Sequence, residues 1–318
     1  VLHESGYRFD MGPTILTMPG VLRRIFAEAK RDLDDYLELT RLDPQWRCFF
    51  DDGSRLDLTA DADAMSRGLE QFAPGSADGY RRFLDDSKEL HAISERYVFW
   101  RSVGSLGDIV TAKRLFTTPL ARDIMRLRPG RSVAEYIRAR TPDERVAQML
   151  DHFTQYVGSS PENSPAVLCG IAHMQTSEGI WYPSGGMGAI PKALVRLAVE
   201  LGVEPNSEVG VTRIVLNDRD RVVGLETNRG ERLELDAVIS NMDAVRTHRE
   251  LLPQRLAKVF QRRRDYEPAC SGVVLYLGLD RRYPELEHHN FVFSRDPRED
   301  FDCIYRQGIP APDPTCYV

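Results

Sequence analysis

The chain has no C-x-x-C pair, and its five cysteines, at positions 48, 169, 270, 303 and 316, are far apart and lack the paired spacing of zinc ligands. That usage excludes a zinc-finger scaffold and a disulfide framework, and it points to a reducing compartment. No run approaches the roughly 18 uncharged apolar residues that a spanning helix requires. The nucleophile elbow G-x-S-x-G, the Walker sequence, H-E-x-x-H and H-R-D are also missing, which removes the signatures of hydrolases, P-loop enzymes, zinc proteases and kinases. With 42 Lys and Arg against 48 Asp and Glu, the formal net charge is −6, so the molecule offers no general nucleic-acid footprint. There is no initiator Met and no charged-then-apolar leader at the start, and the last residues, "PAPDPTCYV", carry no cap or tail. The sequence therefore reads as an internal piece of a longer protein.

What is present is ordinary globular material, 318 residues with 42% apolar and 28% charged, enough for two domains. "VLHESGYRFDMGPTIL" predicts two short strands around Ser5-Gly6, followed by a Gly-Pro loop. A helix is expected from about Gly20 to Ala29, and a hairpin where residues 37–50 and 55–58 flank "DDGS". From about Asp61 to Gln155 strand signals vanish and amphipathic helical patterns follow one another. After Gly179 the pattern returns to α/β. A helix with Ile190, Leu194, Leu197 and Leu201 on one stripe stops at Gly202. "VGVTRIVL", "RVVGLET" and "ERLELDAVISN" predict a three-stranded meander running into a fourth apolar strand. "SGVVLYLGL" and "HHNFVFS" alternate as two further strands, with a helix before them around 249–264. His288-His289 reads as a surface pair, and no residue stands out as a metal ligand.

Residues 96–131 carry eight basic side chains (Arg96, Arg101, Lys113, Arg114, Arg122, Arg126, Arg128, Arg131) against two acidic ones (Asp108, Asp123), interleaved with Val98, Phe99 and Trp100. Two readings stay open, a solvated helical face whose aromatics are core, or an interfacial patch that sits on anionic lipid.

The stretch "YPSGGMGAIPKALVRL" has three glycines between a strand and a helix, the setting of a dinucleotide-phosphate loop. A G-x-G-x-x-G loop needs its third glycine for close helix packing. Here Gly186-Met187-Gly188-Ala189-Ile190-Pro191 puts proline there, and no acidic residue is convincingly positioned on the next strand. Proline suits the first turn of a helix, so the glycines are expected to serve close passage of the backbone. Overall, an α/β layer interrupted by a helical insertion suits a cofactor domain split by a substrate domain, with ligand at the junction.

Four segments, "YRFDMGPTILTMP", "VGSSPENSPAVLCGIAHMQTSEGIWYPSGGMGAIPKALVRLAVELG", "VISNMDAVRTHRELL" and "SGVVLYLGLD", together resemble the phytoene desaturase family of FAD-dependent carotenoid oxidoreductases, itself related to the amine oxidases. The resemblance covers nearly the whole chain in order. It implies an α/β fold in which an incomplete FAD/NAD(P)-binding Rossmann-like domain (1–19 and 185–248) is interrupted by an α+β substrate domain with a helical insertion (20–184), whose sheet portion is 249–318. It implies FAD as cofactor. Asp10, Gly12, Pro13 and Thr14 match the segment beside the flavin ring, Val209 matches the strand position whose backbone meets the adenine, and Asn241 and Met242 match a strand end near the cofactor. The family's G-x-G-x-x-G start and its C-terminal flavin motif have no counterpart in these residues.

The activity implied is dehydrogenation of an extended polyene, which calls for orientation in a dry apolar tunnel more than for acid or base groups. No catalytic base is identified from the sequence. A water-insoluble substrate favours the membrane-surface reading of residues 96–131. The alternatives are another lipid-acting flavoenzyme of this fold (a retinoid saturase, a carotenoid isomerase or ketolase, a squalene-type dehydroxylase) and a non-catalytic binder of an apolar ligand.

Overall fold

A computed structural model describes residues 1–100, 118–262, 266 and 271–318, with the side chains of 118–121 left aside. The chain forms two compact units, Val1–Ala193 with Gly272–Val318, and Leu194–Ser271. Arg101, Asp108, Lys113 and Arg114 of the basic cluster, and Cys270 just before "SGVVLYLGL", lie outside the described residues.

The first unit opens with β1 (Leu2–Glu4) and β2 (Tyr7–Phe9), an antiparallel hairpin whose two-residue turn has Ser5 at φ 50° and Gly6 at φ 83°. Two positive φ values match the right-handed twist of the strands. Helix α1 (Pro19–Glu28) starts on a proline, where a missing N–H costs nothing, and buries Phe26. The expected long strand over 37–50 divides in two. Strand β3 (Leu39–Leu42) pairs antiparallel with β6 (Ile180–Pro183), whereas β4 (Trp46–Phe49) pairs with β5 (Arg55–Leu58) across the "DDGS" turn. The main sheet has the order β11 (Cys316–Tyr317), β10 (Asn290–Val292), β4, β5, with β10 parallel to β4.

Helices cover this sheet, as the loss of strand signals after Asp61 predicts. The Asp61 carboxylate accepts from the backbone N–H of Asp63 and Ala64 and so starts α2 (Ala62–Phe72). The long helix α3 (Ala77–Ser94) follows. Ser132 and Glu135 form a reciprocal capping box on the helix Val133–Arg138, and Asp143 caps Glu144–Asp151. Trp46, Leu58, Met65, Leu69, Phe83, Leu90 and Met149 belong to one buried cluster between helices and sheet. Among the described residues no helix is long and apolar enough to cross a membrane.

The second unit contains the predicted meander, β7 (Val211–Leu216), β8 (Val222–Thr227) and β9 (Arg232–Glu234), and the helix Gln254–Gln261. Arg255 is ion-paired with Asp220 at the β7–β8 turn. Two expected strands do not form. The ladder ends where the Leu235 N–H donates to Val223 O at 3.1 Å, and "VISN" continues without strand pairing, with Ile239 98% exposed. Residues 271–279 likewise have no strand partner, although Val273, Leu275 and Leu277 alternate as expected and are exposed. An alternating pattern specifies which face a strand would bury, but a strand exists only when a neighbour takes its N–H and C=O groups. In the first unit the segment rests on the hairpin through side chains, with the Tyr7 hydroxyl donating to Leu279 O and Tyr276 5.5 Å from Phe9.

Candidate functional site

The three-glycine loop is held by a carboxylate of its own chain. Asp10, just past β2, accepts the Met187 N–H at 2.7 Å and the Tyr182 hydroxyl at 3.3 Å through Oδ2. Burial pushes its carboxyl up, but the Met187 N–H, the Arg8 guanidinium, the Gly188 N–H and Tyr182 outweigh burial, and the group lies below the usual carboxylate range. A negative charge at the entry to the helix Ala189–Glu200 occupies the spot where a phosphate would otherwise sit. The loop is therefore a close crossing, as Pro191 suggests, with the Met187 and Gly188 N–H groups already turned to Asp10. Gly186 sits at φ 89°, and a Cβ there would fall 2.2 Å from Arg8 Nη2 and 2.5 Å from Asp10 Oδ2. Gly186→Ala is expected to cost about 2 kcal/mol from backbone strain and displaced Asp10; thermal unfolding of the variant beside Gly185→Ala, where a Cβ meets nothing within 4 Å, checks that the excess comes from the collision.

From Asp10 the chain passes Gly12, at φ 107° with open space where a Cβ would be, and Pro13. Thr14 Oγ1 then lies 2.7 Å from the Tyr317 hydroxyl, which is also hydrogen-bonded to His289 Nδ1. Ile15 is part of the wall of a cavity of about 340 Å³, whose other apolar walls include Trp46, His152, Tyr156, Phe291 and Ile304. Gln155, Asp300, Thr315 and Tyr317 give it one polar side. The Trp46 and Phe291 rings meet edge to face at 4.8 Å, and His152 lies 4.0 Å from Phe291. His152 keeps some accessible surface, but that surface faces this cavity; burial lowers its imidazole to about 3, so it is neutral. His289 is lowered to about 3 by burial and by neighbouring His288.

Segment 10–14 is thus anchored at both ends, by Met187 and Tyr182 at Asp10 and by Tyr317 at Thr14, with exposed, open backbone at Gly12 between. Asp10 Oδ1 is buried and has no hydrogen-bond partner among the described residues, with the Arg8 guanidinium 3.9 Å away as its ion-pair partner. Open glycine backbone at Gly12, held between these two anchors, fits a flat group such as a flavin lying along this segment.

The other three expected contacts belong to the second unit. Val209 is half-buried and precedes β7 instead of lying within it, and Gly210 after it is pinned by Asn228. Asn241 is exposed and Met242 half-buried in a turn that ends at the Asp243 cap; neither terminates a strand, because the strand before them does not form. His288-His289 is not a surface pair, since His289 is 1% exposed and shares an arc of rings with His288, Tyr182 and Tyr317. Asp300 and Tyr317 carry no sequence signal at all, because neighbours far along the chain create their environment.

A family model described as flavin containing amine oxidoreductase matches residues 2–312. The chain is 36% identical over 318 residues to a 4,4'-diapolycopene oxygenase of Methylomonas sp, covering all of this chain and 63% of the relative. It is 38% identical over 317 residues to a zeta-carotene-forming phytoene desaturase of Myxococcus xanthus, covering 60% of it, and 31% identical to a 4,4'-diaponeurosporene oxygenase of Staphylococcus haemolyticus, covering 62%. The chain therefore spans about three fifths of the length of these curated relatives. A match that runs from the β1–β2 hairpin to beyond Asp300 and Ile304 of the cavity wall identifies the chain as a member of the flavin-containing amine oxidoreductase family.

Proposed function

We propose that these residues form the substrate-binding part, and a portion of the cofactor-binding part, of an FAD-dependent oxidoreductase that dehydrogenates an extended isoprenoid polyene such as phytoene. The observation that carries the reading is the aromatic cavity of about 340 Å³ hydrogen-bonded, through Tyr317, to the Thr14 end of the Asp10–Thr14 segment. Relatives named for acyclic carotenoids support the substrate class. In this reading residues 1–19 and 185–248 serve the flavin and 20–184 and 249–318 the substrate. Asp10, Gly12, Pro13 and Thr14 would line the ring, with Val209, Asn241 and Met242 serving the rest of the cofactor. Bound FAD supplies the hydride acceptor. The chain's own contribution is to hold the polyene against aromatic walls, keep water from it and leave the open glycine backbone as its approach.

A polyene dissolves in bilayers, and the same reading includes contact with an anionic membrane through residues 96–131. Val98, Phe99 and Trp100 are exposed there, as is Arg122. Three of the cluster's arginines are engaged internally, Arg96 with Asp123, Arg126 with Glu89 and Arg128 with Asp86, so the charge left for lipid is smaller than the sequence count. The full FAD-loaded protein, given phytoene in vesicles, is expected to shift the substrate's absorption to longer wavelength, several-fold faster from anionic than from zwitterionic vesicles at low salt. Oxygenated product without new double bonds would favour a second reading, oxidation of a polyene's end, which the 36% identity to a diapolycopene oxygenase supports. No change in any polyene would overturn both.

A further inference from the structure

The cavity contains one feature that an apolar binding site does not need. Asp300, 3% exposed, is part of its wall. Oδ2 accepts the Thr315 N–H at 3.1 Å, while Oδ1 is buried and has no partner among the described residues. Among the described residues no lysine or arginine lines the cavity, and its imidazole, His152, is neutral. A buried carboxyl oxygen left unpaired is expensive, because it forfeits water and receives nothing in return. Such a group is retained where its negative charge has a use.

We propose that Asp300 makes this cavity a subsite for positive charge, its carboxylate facing the cation that would develop along a polyene when an allylic C–H bond gives up its electron pair as hydride to bound flavin, and that would last until a proton leaves the adjacent carbon and those C–H electrons form the new double bond. The inference rests on the polyene reading above and deepens it. A delocalised carbocation has no hydrogen-bond donors, so it is stabilised through charge in a water-poor site, where a single anion counts for far more than in solvent. Trp46 and Phe291 add aromatic walls of the kind that attract cations. The remaining polar groups, Gln155, Thr315 and Tyr317, are uncharged and do not neutralise the carboxylate.

The test needs no turnover. Decylammonium and decanol share a chain length and differ in charge, and calorimetric titration of each into the full protein measures the preference directly. The wild type is expected to bind the ammonium at least about ten-fold more tightly than the alcohol. Asp300→Asn keeps an oxygen for the Thr315 N–H and is expected to bind the two alike, while Glu299→Gln, at the exposed carboxyl next in sequence, retains the preference. Ile304→Trp, which fills the cavity, is expected to abolish binding of both. Equal binding of the two probes by the wild type, or an undiminished preference in Asp300→Asn, overturns the inference and leaves the polyene reading standing. Binding of neither probe overturns the cavity itself, and with it both readings. Should Asp300→Asn not fold, the wild-type ratio together with Ile304→Trp still decides.

Discussion

Trp46→Ala is expected to cost about 3–5 kcal/mol of stability and to lower the urea midpoint of the first unit accordingly. Trp46 is 1% exposed, belongs to the main buried cluster, and meets Phe291 at 4.8 Å, Phe153 at 5.2 Å and His152 at 5.8 Å. It begins β4, the strand that joins β10 on one side to β5 on the other, so its ring is packed by helix and sheet residues that have little freedom to collapse inward. The lost indole leaves a void on top of the lost transfer energy, and both terms have the same sign. Trp46→Phe separates packing from polarity. The indole Nε1 is buried with no partner among the described residues, so phenylalanine removes an unsatisfied donor while giving up part of the volume. It is expected to lose less than half as much as alanine. Equal losses in the two variants, measured by urea unfolding, would show that the indole's N–H has a partner and that the argument from packing is incomplete. Because Trp46 also forms part of the cavity wall, the alanine variant is further expected to accept bulkier apolar ligands than the wild type.

Local chemistry in the sequence accounts for much of this fold. Asp61 before an apolar periodic stretch, Ser132 three residues before Glu135, and "DDGS" between alternating runs each act within a few residues, and each does in the structure what its chemistry requires. Pro191 is similarly local, and it correctly argues against a phosphate loop. The occupant of that loop was not legible, since the Asp10 carboxylate that takes the Met187 N–H lies 177 positions earlier. The cavity has the same character. Ile15, Trp46, His152, Phe291 and Tyr317 come from five separated stretches, and no period or spacing connects them. His289 looks like a surface residue in the sequence because two adjacent histidines are polar in isolation, whereas its place just before β10 puts it inside against Tyr317. The failed strands show the converse. "VISN" and "GVVLYLGL" have the composition of buried strands, but composition cannot supply the neighbouring edge that a strand needs. For the segments proposed to meet the cofactor, the resemblance alone sets Asp10, Gly12, Pro13 and Thr14 together, and the structure adds that Asp10 and Thr14 are anchored by hydrogen bonds.

The two buried imidazoles His152 and His289 are expected to cost stability as the pH falls, a loss best read as a difference between wild type and variant, because buried Asp151, pushed up to about 7, works in the opposite direction over the same range. Burial is the main cause holding each imidazole at about 3 in the folded state, against an ordinary value of 6.5. Between those values the unfolded chain binds a proton at each site and the folded chain does not, so ν is larger for the unfolded state and stability rises with pH. The contribution is fully present above pH 6.5 and is lost as pH falls from there toward 3. At pH 5 each site has forfeited about 2 kcal/mol, the product of 1.36 kcal/mol and 1.5 pH units, or about 4 kcal/mol for the two together. Half of that loss should vanish in His152→Phe, which keeps an aromatic ring against Trp46 and Phe291 but has nothing to protonate. Urea unfolding of both proteins at pH 7.5, 6, 5 and 4 gives the comparison, and the difference between them should widen steadily as the pH drops. Parallel pH profiles for wild type and variant would mean that the folded protein admits a proton at His152, and the cavity would then have to be open to water instead of dry. Protonated His152 would place a positive charge in the same cavity as Asp300. Parallel profiles would therefore weaken the case for a cation subsite at the same time, which makes this inexpensive titration a check on the chemistry as well as on the stability.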